Sequence, residues 1–210
     1  MKKNSFLILT IIFVTALNFA GCKKENTAKG HTALFNNTVW TGEFHYTGQP
    51  VQPVSIEFKQ GGAFTWYDIQ GDFPGSWKIE NGQITISFPS GSIVKADISN
   101  DNKLINFQHS TGNGWAIDNA ELNTTPDETI ENTSWKTTNI LLDFKASNKV
   151  NYTVGTLTYS DISYLRKAKF IRFSAGIWDY FIIINSSTVM TGVNQPKDDT
   201  IVYPFKLGKL

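Results

Sequence analysis

Short runs in which apolar and polar side chains alternate dominate this chain. Residues 54–58 and 84–88 each place an apolar side chain at every second position, the period of a β-strand with one buried face. An Asn-Gly pair at 81–82 separates two such runs and predicts a hairpin turn. After residue 22 no stretch keeps a period of 3.6 residues, and only residues 161–167 are a candidate for a short helix. The pattern therefore predicts an all-β protein.

The strand pattern occurs twice. Residues 37–40 read Asn-Thr-Val-Trp and residues 132–135 read Asn-Thr-Ser-Trp, an offset of 95 residues. Later landmarks come in the same order in both halves: residues 56–58 and 142–144, then Trp77 and Trp178. This shared order indicates a tandem repeat.

The repeat divides the chain into two predicted β domains, 37–122 and 132–210, joined by a polar, proline-containing linker at 123–131. Each domain offers seven or eight short strands, which close most simply as a small antiparallel barrel or sandwich. The alternation leaves open whether the halves form two barrels or one joint sandwich. The stretch 177–184 is apolar on both strand faces. It therefore predicts burial inside the protein, whereas an exposed patch there would indicate a surface that binds other proteins.

The amino terminus has the pattern of a secretory signal peptide. A basic start precedes an apolar run at 6–17, which is too short for a permanent membrane span, and we predict that residues 1–21 are removed. The small residues Ala20 and Gly21 directly before Cys22 resemble a bacterial lipobox. In that family the chain is cut before the cysteine, and the cysteine is then lipidated. The alternative is an ordinary signal peptide cut elsewhere, which would leave a spare thiol.

Lipidation of Cys22 predicts where the protein resides. Two or more acyl chains hold a protein stably on a bilayer, since each buried methylene contributes about 0.8 kcal/mol. We therefore expect an outer-membrane lipoprotein of the cell envelope, on either the periplasmic or the surface face. Residues 23–30 are polar and lack periodicity, and residues 22–36 are interpreted as a tether between the lipid and the first strand.

The Asn-Thr-x-Trp opening followed by a meander of short strands resembles small lipocalin-like domains common in lipoproteins of the Bacteroidetes type. The resemblance covers 37–122 more fully than 132–210. It implies that Trp40 and Trp135 close one end of each barrel and that neither is a ligand contact. The chain departs from larger lipocalins in strand length, and strands this short leave little internal space for a ligand.

Charge and motif content argue against several function classes. Without residues 1–21 the chain has 17 basic and 18 acidic residues, a balance that argues against nucleic acid as a partner. Metal-ligand spacings, cysteine pairs and a nucleophile elbow are missing from the sequence, so we predict no metal, no cofactor and no enzymatic activity. Asp68 and Asp72 lie near an aromatic strand and are interpreted as turn residues.

Aromatic content is the feature that most suggests binding. The chain has six tryptophans, seven tyrosines and fifteen phenylalanines. Trp66, Tyr67 and Trp115 are candidates for stacking on a ligand, because neighbouring positions on a strand point to opposite faces and a glycine-rich loop precedes Trp115. Packing in the core is the competing interpretation for all three. Separately, Asp199-Thr200-Ile201 resembles a short acceptor motif for O-glycosylation at Thr200.

These features together predict a membrane-anchored, non-enzymatic envelope lipoprotein that binds a glycan, a small apolar ligand or another envelope protein. The alternative is an inhibitor or an accessory subunit of an envelope complex. A hydrolase is a third hypothesis, which would need a cleft with a strongly perturbed acid or histidine.

Overall fold

Two antiparallel sheets make up most of the computed structural model, which describes residues 26–110, 114–127 and 129–210. A helix, α1 (Asn26–Phe35), precedes the first sheet. The strands of the first sheet are β1 (Thr38–Tyr46), β2 (Gln52–Phe58), β3 (Ala63–Asp68), β4 (Gly71–Glu80), β5 (Gln83–Ser87), β6 (Ile93–Ile98), β7 (Lys103–His109) and β8 (Trp115–Leu122). The predicted signal peptide and Cys22 lie outside the described residues.

The first sheet is a closed barrel in which each strand pairs with the next and β1 pairs with β8. Its interior is filled by the apolar side chains that alternate along the strands, as the sequence predicts. The Asn-Gly pair at 81–82 forms the turn between β4 and β5. We call β1–β8 the first barrel.

The second sheet has nine strands and is nearly closed. They are β9 (Ser134–Lys136), β10 (Ile140–Lys145), β11 (Lys149–Val154), β12 (Leu157–Ser163), β13 (Leu165–Lys167), β14 (Phe170–Ala175), β15 (Trp178–Ile184), β16 (Val189–Pro196) and β17 (Tyr203–Lys209). The order is β12-β11-β10-β9-β17-β16-β15-β14-β13. The strands β9 and β17, which are first and last along this half of the chain, therefore pair with each other, as β1 and β8 do in the first barrel. We call this sheet the second barrel. The prediction of an all-β protein with two tandem small barrels is confirmed.

The two Asn-Thr-x-Trp segments have the same local structure. Both asparagines have a left-handed backbone, with φ of 56° and 60°, which asparagine tolerates better than most residues. The indole N–H of Trp40 donates to the Thr38 hydroxyl at 3.2 Å, and that of Trp135 donates to the Thr133 hydroxyl at 2.8 Å. Both tryptophans are buried at the start of their barrels. The repeat therefore specifies how each barrel begins.

The later tryptophan landmarks are not equivalent. Trp77 lies in the fourth strand of the first barrel, whereas Trp178 lies in the seventh strand of the second. The order of residues along the chain does not determine which strands pair, and the second half has one more short strand than the first. The two halves therefore resemble each other most closely in their Asn-Thr-x-Trp segments.

Two predictions were wrong: that of an unstructured tether before the first strand and that of a short helix at 161–167. Residues 26–35, which the sequence analysis places in a tether, form α1, and residues 161–167 lie mostly in β12 and β13. The buried Phe35 ring stacks on Trp40 with a centroid distance of 4.5 Å and an interplanar angle of 5°. Tertiary packing of the last helical residue, more than amphipathic periodicity, accounts for this helix. Among the described residues no helix is both long and apolar enough to cross a membrane.

A third apolar cluster joins the two barrels. Tyr67 and Ile69 of the first barrel pack against residues of the second: Phe170, Phe181, Ile183, Val193 and Val202. Along β15, alternate side chains face the first barrel and the core of the second barrel. The predicted burial of this strand is confirmed, and only Ile177, just before it, is strongly exposed, at 67%. The exposed patch expected of an interaction surface at 177–184 is therefore not formed.

Candidate ligand pocket at the mouth of the first barrel

The two ends of the first barrel differ. Phe35 and Trp40 fill the end where β1 begins. At the other end a pocket of about 140 Å³ opens near Tyr46, which is six residues, or roughly 20 Å, further along β1. We call it the aromatic pocket, and its lining residues are Phe44, Tyr46, Trp66, Asp68, Phe73, Phe88, Ser90, Ser92 and Trp115.

The walls of the aromatic pocket are rings that support one another edge to face. The Trp66 ring centroid lies 5.1 Å from that of Phe44 and 5.7 Å from that of Trp115. Phe88 completes the set at 5.8 Å from Trp115. Edge-to-face contacts in this distance range are favourable and fix the orientation of each ring. The pocket therefore has preformed apolar walls.

Asp68 supplies the carboxyl group of the pocket. It is the last residue of β3, and alternation along that strand places it on the same face as Trp66. The Trp66 indole N–H donates to Asp68 Oδ2 at 2.8 Å, and the Gln70 amide N–H donates to Asp68 Oδ1 at 2.7 Å. The Gly71 amide N–H also donates to Oδ1, at 3.2 Å. The side chain thus caps the β3–β4 turn while remaining 1% exposed beside the pocket.

The second barrel holds this turn from outside. Nη2 of Arg172 on β14 donates to the carbonyl oxygens of Asp68 and Gly71, at 2.6 and 3.0 Å. Its Nη1 lies 2.9 Å from Asp72 Oδ1. The guanidinium of Arg172 therefore binds both the backbone and a carboxylate of the β3–β4 hairpin. These bonds fix the position of the hairpin relative to the second barrel.

Burial perturbs the ionisable groups of the pocket. It raises the pKa of Asp68, while the three N–H donors and the charge of Arg172 act in the opposite direction. Burial, with the nearby Asp68 charge, raises the pKa of Tyr46 to about 12. Tyr46 is therefore a neutral phenol at physiological pH, able to donate its proton in a hydrogen bond.

The His109 ring packs against Trp115. The two ring centroids are 4.8 Å apart and nearly perpendicular. Burial lowers the pKa of His109, so the imidazole is neutral at physiological pH. Its Nε2 accepts a long hydrogen bond of 3.5 Å from the Ile117 backbone N–H. His109 acts here as a packing partner for Trp115.

The structure brings together two of the three predicted stacking residues. Trp66 and Trp115 line the aromatic pocket, Trp66 at 3% exposure and Trp115 half-buried near the rim. Tyr67 points to the other face of β3, where it is fully buried between the barrels. Its hydroxyl donates to Glu57 Oε2 at 2.7 Å, and Lys167 Nζ lies 4.8 Å from its ring centroid. Tyr67 therefore has no surface on which a ligand could stack, and its prediction as a stacking residue was wrong.

Thr200 lies in an exposed segment between β16 and β17. Its backbone N–H donates to Asp199 Oδ1 at 2.6 Å, and its side chain is exposed to solvent. Glycosylation at Thr200 stays a prediction.

Several residues of the aromatic pocket are not among those predicted from the sequence. Phe44 and Tyr46 alternate at the end of β1, directly before the turn residues 47–50, and that pattern also describes a simple core strand. Asp68 was interpreted as a turn residue, and it does cap a turn, but it also lines the pocket. Its position two residues after Trp66 was the available signal, since side chains two apart share one face of a strand.

No protein-family model matches the chain, and no curated protein matches it at a significant level. Within the described ranges, no group of three histidine, cysteine or acidic side chains is arranged to hold a metal ion.

Proposed function

We propose that this protein is a lipid-anchored protein of the bacterial cell envelope whose first barrel binds a small ligand without converting it. The observation that carries the proposal is the aromatic pocket, where Trp66 and Trp115 meet at the open end of a barrel whose other end is filled. Small-molecule sites are typically concave, mostly apolar and equipped with a few polar groups, here Asp68, Ser90 and Ser92.

The size of the pocket limits what enters it. An apolar cavity of about 150 Å³ holds one benzene molecule, so a pocket of this volume takes a group of about six non-hydrogen atoms. The half-exposed rings of Phe73 and Trp115 at the rim can contact a larger molecule to which this group belongs. The proposed ligand is therefore a small molecule, or a larger molecule that inserts one head group.

Ligand binding is tested by following the indole N–H resonances of the six tryptophans by NMR while small probes are added. The probes are phenol, methyl β-glucoside, 3,3-dimethyl-1-butanol and choline. We expect at least one probe to shift Trp66 and Trp115 and to leave Trp135 and Trp178 unchanged. Absence of any selective shift would contradict the proposal.

A matched pair of variants assigns the binding to the pocket. Trp115→Ala removes a wall of the pocket, and we expect it to abolish binding of the active probe. Trp178→Ala removes a half-buried tryptophan from the second barrel, where Trp178 contacts Tyr203, and should leave binding unchanged. Equal effects of the two variants would show that the binding is not specific to the pocket.

The proposal of a lipid anchor is supported by the lipobox resemblance at Cys22. A separate experiment tests it. Cells that express the protein are labelled with an alkyne-bearing fatty acid, and their membranes are fractionated. We expect labelled protein in the outer-membrane fraction, and neither label nor membrane association for Cys22→Ala. An unlabelled wild-type protein in the soluble fraction would refute the lipid anchor.

A further inference from the structure

We propose that the aromatic pocket recognises an organic cation, specifically the head group of an alkylammonium compound, because six aromatic side chains and a buried carboxyl group line it and no basic residue does. This inference rests on the proposed function and names the chemical class of its ligand.

The lining of the pocket favours positive charge over negative charge. Six aromatic side chains surround it, and the faces of such rings attract cations. None of the nine lining residues is lysine, arginine or histidine. Arg172 of β14, which binds the β3–β4 turn from outside, shares its charge with Asp72 and two backbone carbonyl groups. A cation in the pocket therefore faces the rings and the carboxyl group of Asp68.

Asp68 can accept one more hydrogen bond or ionic contact. A carboxylate has about four acceptor positions. The N–H groups of Trp66, Gln70 and Gly71 occupy three of them, two on Oδ1 and one on Oδ2. The remaining position is on Oδ2, the oxygen that is bound to a tryptophan of the pocket wall.

The energetic state of Asp68 also favours a cation. Burial disfavours its ionised form, which raises its pKa in the free protein. A bound cation would compensate the negative charge of Asp68, which is 1% exposed, and charge interactions at a buried group are stronger than in bulk solvent. A neutral ligand of the same shape would gain the apolar contacts but not this compensation.

The pocket volume agrees with a methylated ammonium group. About 140 Å³ accommodates a group of five or six non-hydrogen atoms, and a trimethylammonium group with its first methylene has five. Such a group is apolar at its surface and charged overall, so it suits aromatic walls better than a primary ammonium ion, which requires several hydrogen-bond acceptors.

Choline and 3,3-dimethyl-1-butanol test the inference directly, because they have nearly the same shape and differ in charge. Calorimetric titration of the intact mature protein with each compound should give about tenfold tighter binding of choline. Equal affinities would overturn the cation inference and leave the proposed ligand pocket intact. Failure of every probe to bind would overturn both proposals.

Two variants examine the role of the carboxyl group. Asp68→Asn should reduce choline affinity to that of the neutral alcohol and leave the alcohol unaffected. Asp118→Asn removes a carboxylate from the outside of the same barrel, where Asp118 pairs with His45 at 2.9 Å, and should change neither affinity. If a folded Asp68→Asn variant keeps the preference for choline, the role of the carboxyl group is refuted. If that variant does not fold, the two ligands compared on the wild-type protein decide the question alone.

Discussion

Arg172 of the second barrel lies 2.9 Å from Asp72 of the first, measured from Nη1 to Oδ1. The same guanidinium binds the carbonyl oxygens of Asp68 and Gly71. One side chain of the second barrel therefore fixes the hairpin that carries the carboxyl group of the aromatic pocket. The second barrel contributes to the pocket without lining it.

We expect Arg172→Met to lower the free energy of unfolding by about 2–4 kcal/mol, because it removes several charge-assisted hydrogen bonds from a largely buried position. Urea denaturation measures the loss. Lys78→Met is the control, since the exposed pair with Glu80 contributes at most about 1 kcal/mol. Similar losses in the two variants would show that Arg172 does not fix the hairpin.

The Phe35 ring should contribute strongly to stability although it belongs to a short terminal helix. We expect Phe35→Ala to cost about 3–5 kcal/mol, because the ring is fully buried against Trp40, Phe58 and Trp77. Ile177→Ala, at an exposed position, should stay within about 0.5 kcal/mol. Thermal and urea denaturation of both variants check this, and a small effect of Phe35→Ala would indicate that α1 detaches in solution.

Gly42 is required where the first barrel closes. A Cβ at this position would lie 2.0 Å from the Asn119 carbonyl oxygen, a backbone atom of the paired strand β8. We therefore expect Gly42→Ala to destabilise the protein by about 1–3 kcal/mol or to open the β1–β8 pairing. Gly208→Ala places its methyl group in open space and should change stability by less than about 1 kcal/mol. Amide hydrogen exchange in β1 and β8 would show whether the pairing opens.

His109 should make stability depend on pH. Its pKa in the folded protein is lower than its ordinary value of about 6.5, because the imidazole is partly buried. As pH falls through about 6.5 the unfolded chain binds a proton at this position before the folded protein does, so the free energy of unfolding decreases. We expect wild type to lose more stability than His109→Gln between about pH 7.5 and about pH 5.5. The other titrating groups, Asp68 included, are common to both proteins, so equal losses would exclude this role for His109.

Glycosylation of Thr200 is checked by the intact mass of mature protein from its native host. We expect added sugar mass in wild type and none in Thr200→Ala, because the residue is exposed in a segment between two strands. Thr188→Ala lies outside the acceptor motif and provides the matched control. A wild-type mass without added sugar would dismiss the motif.

The fold was predictable because its determinants are local. Alternation at 54–58 and 84–88, and the turn at Asn81 and Gly82, follow from strand geometry and turn chemistry. The helix before β1 was not predicted because it depends on the packing of Phe35 against Trp40. The periodicity of apolar residues in the sequence does not reveal such a tertiary contact. The side of β3 that meets the second barrel depends on tertiary packing in the same way.

The candidate pocket was only half predictable for a related reason. Trp66 and Tyr67 were known to point to opposite faces, but both faces of this strand are buried, one toward the pocket and one against the second barrel. Asp68 matches the pattern of a turn residue because it does cap the turn after β3. The sequence does not show that the same side chain also lines the pocket. Sequence alternation shows which side chains share a face, and packing decides what that face meets.

The position of β15 late in the chain has a consequence for the order of events during synthesis. Phe181 and Ile183 cover Tyr67 and Ile69, and the two sets are separated by more than 100 residues of chain. Until β15 emerges from the ribosome, the first barrel presents an uncovered apolar face that favours aggregation. We therefore expect fragments that end before this strand to need chaperones, whereas a chain that includes both barrels conceals that face by itself.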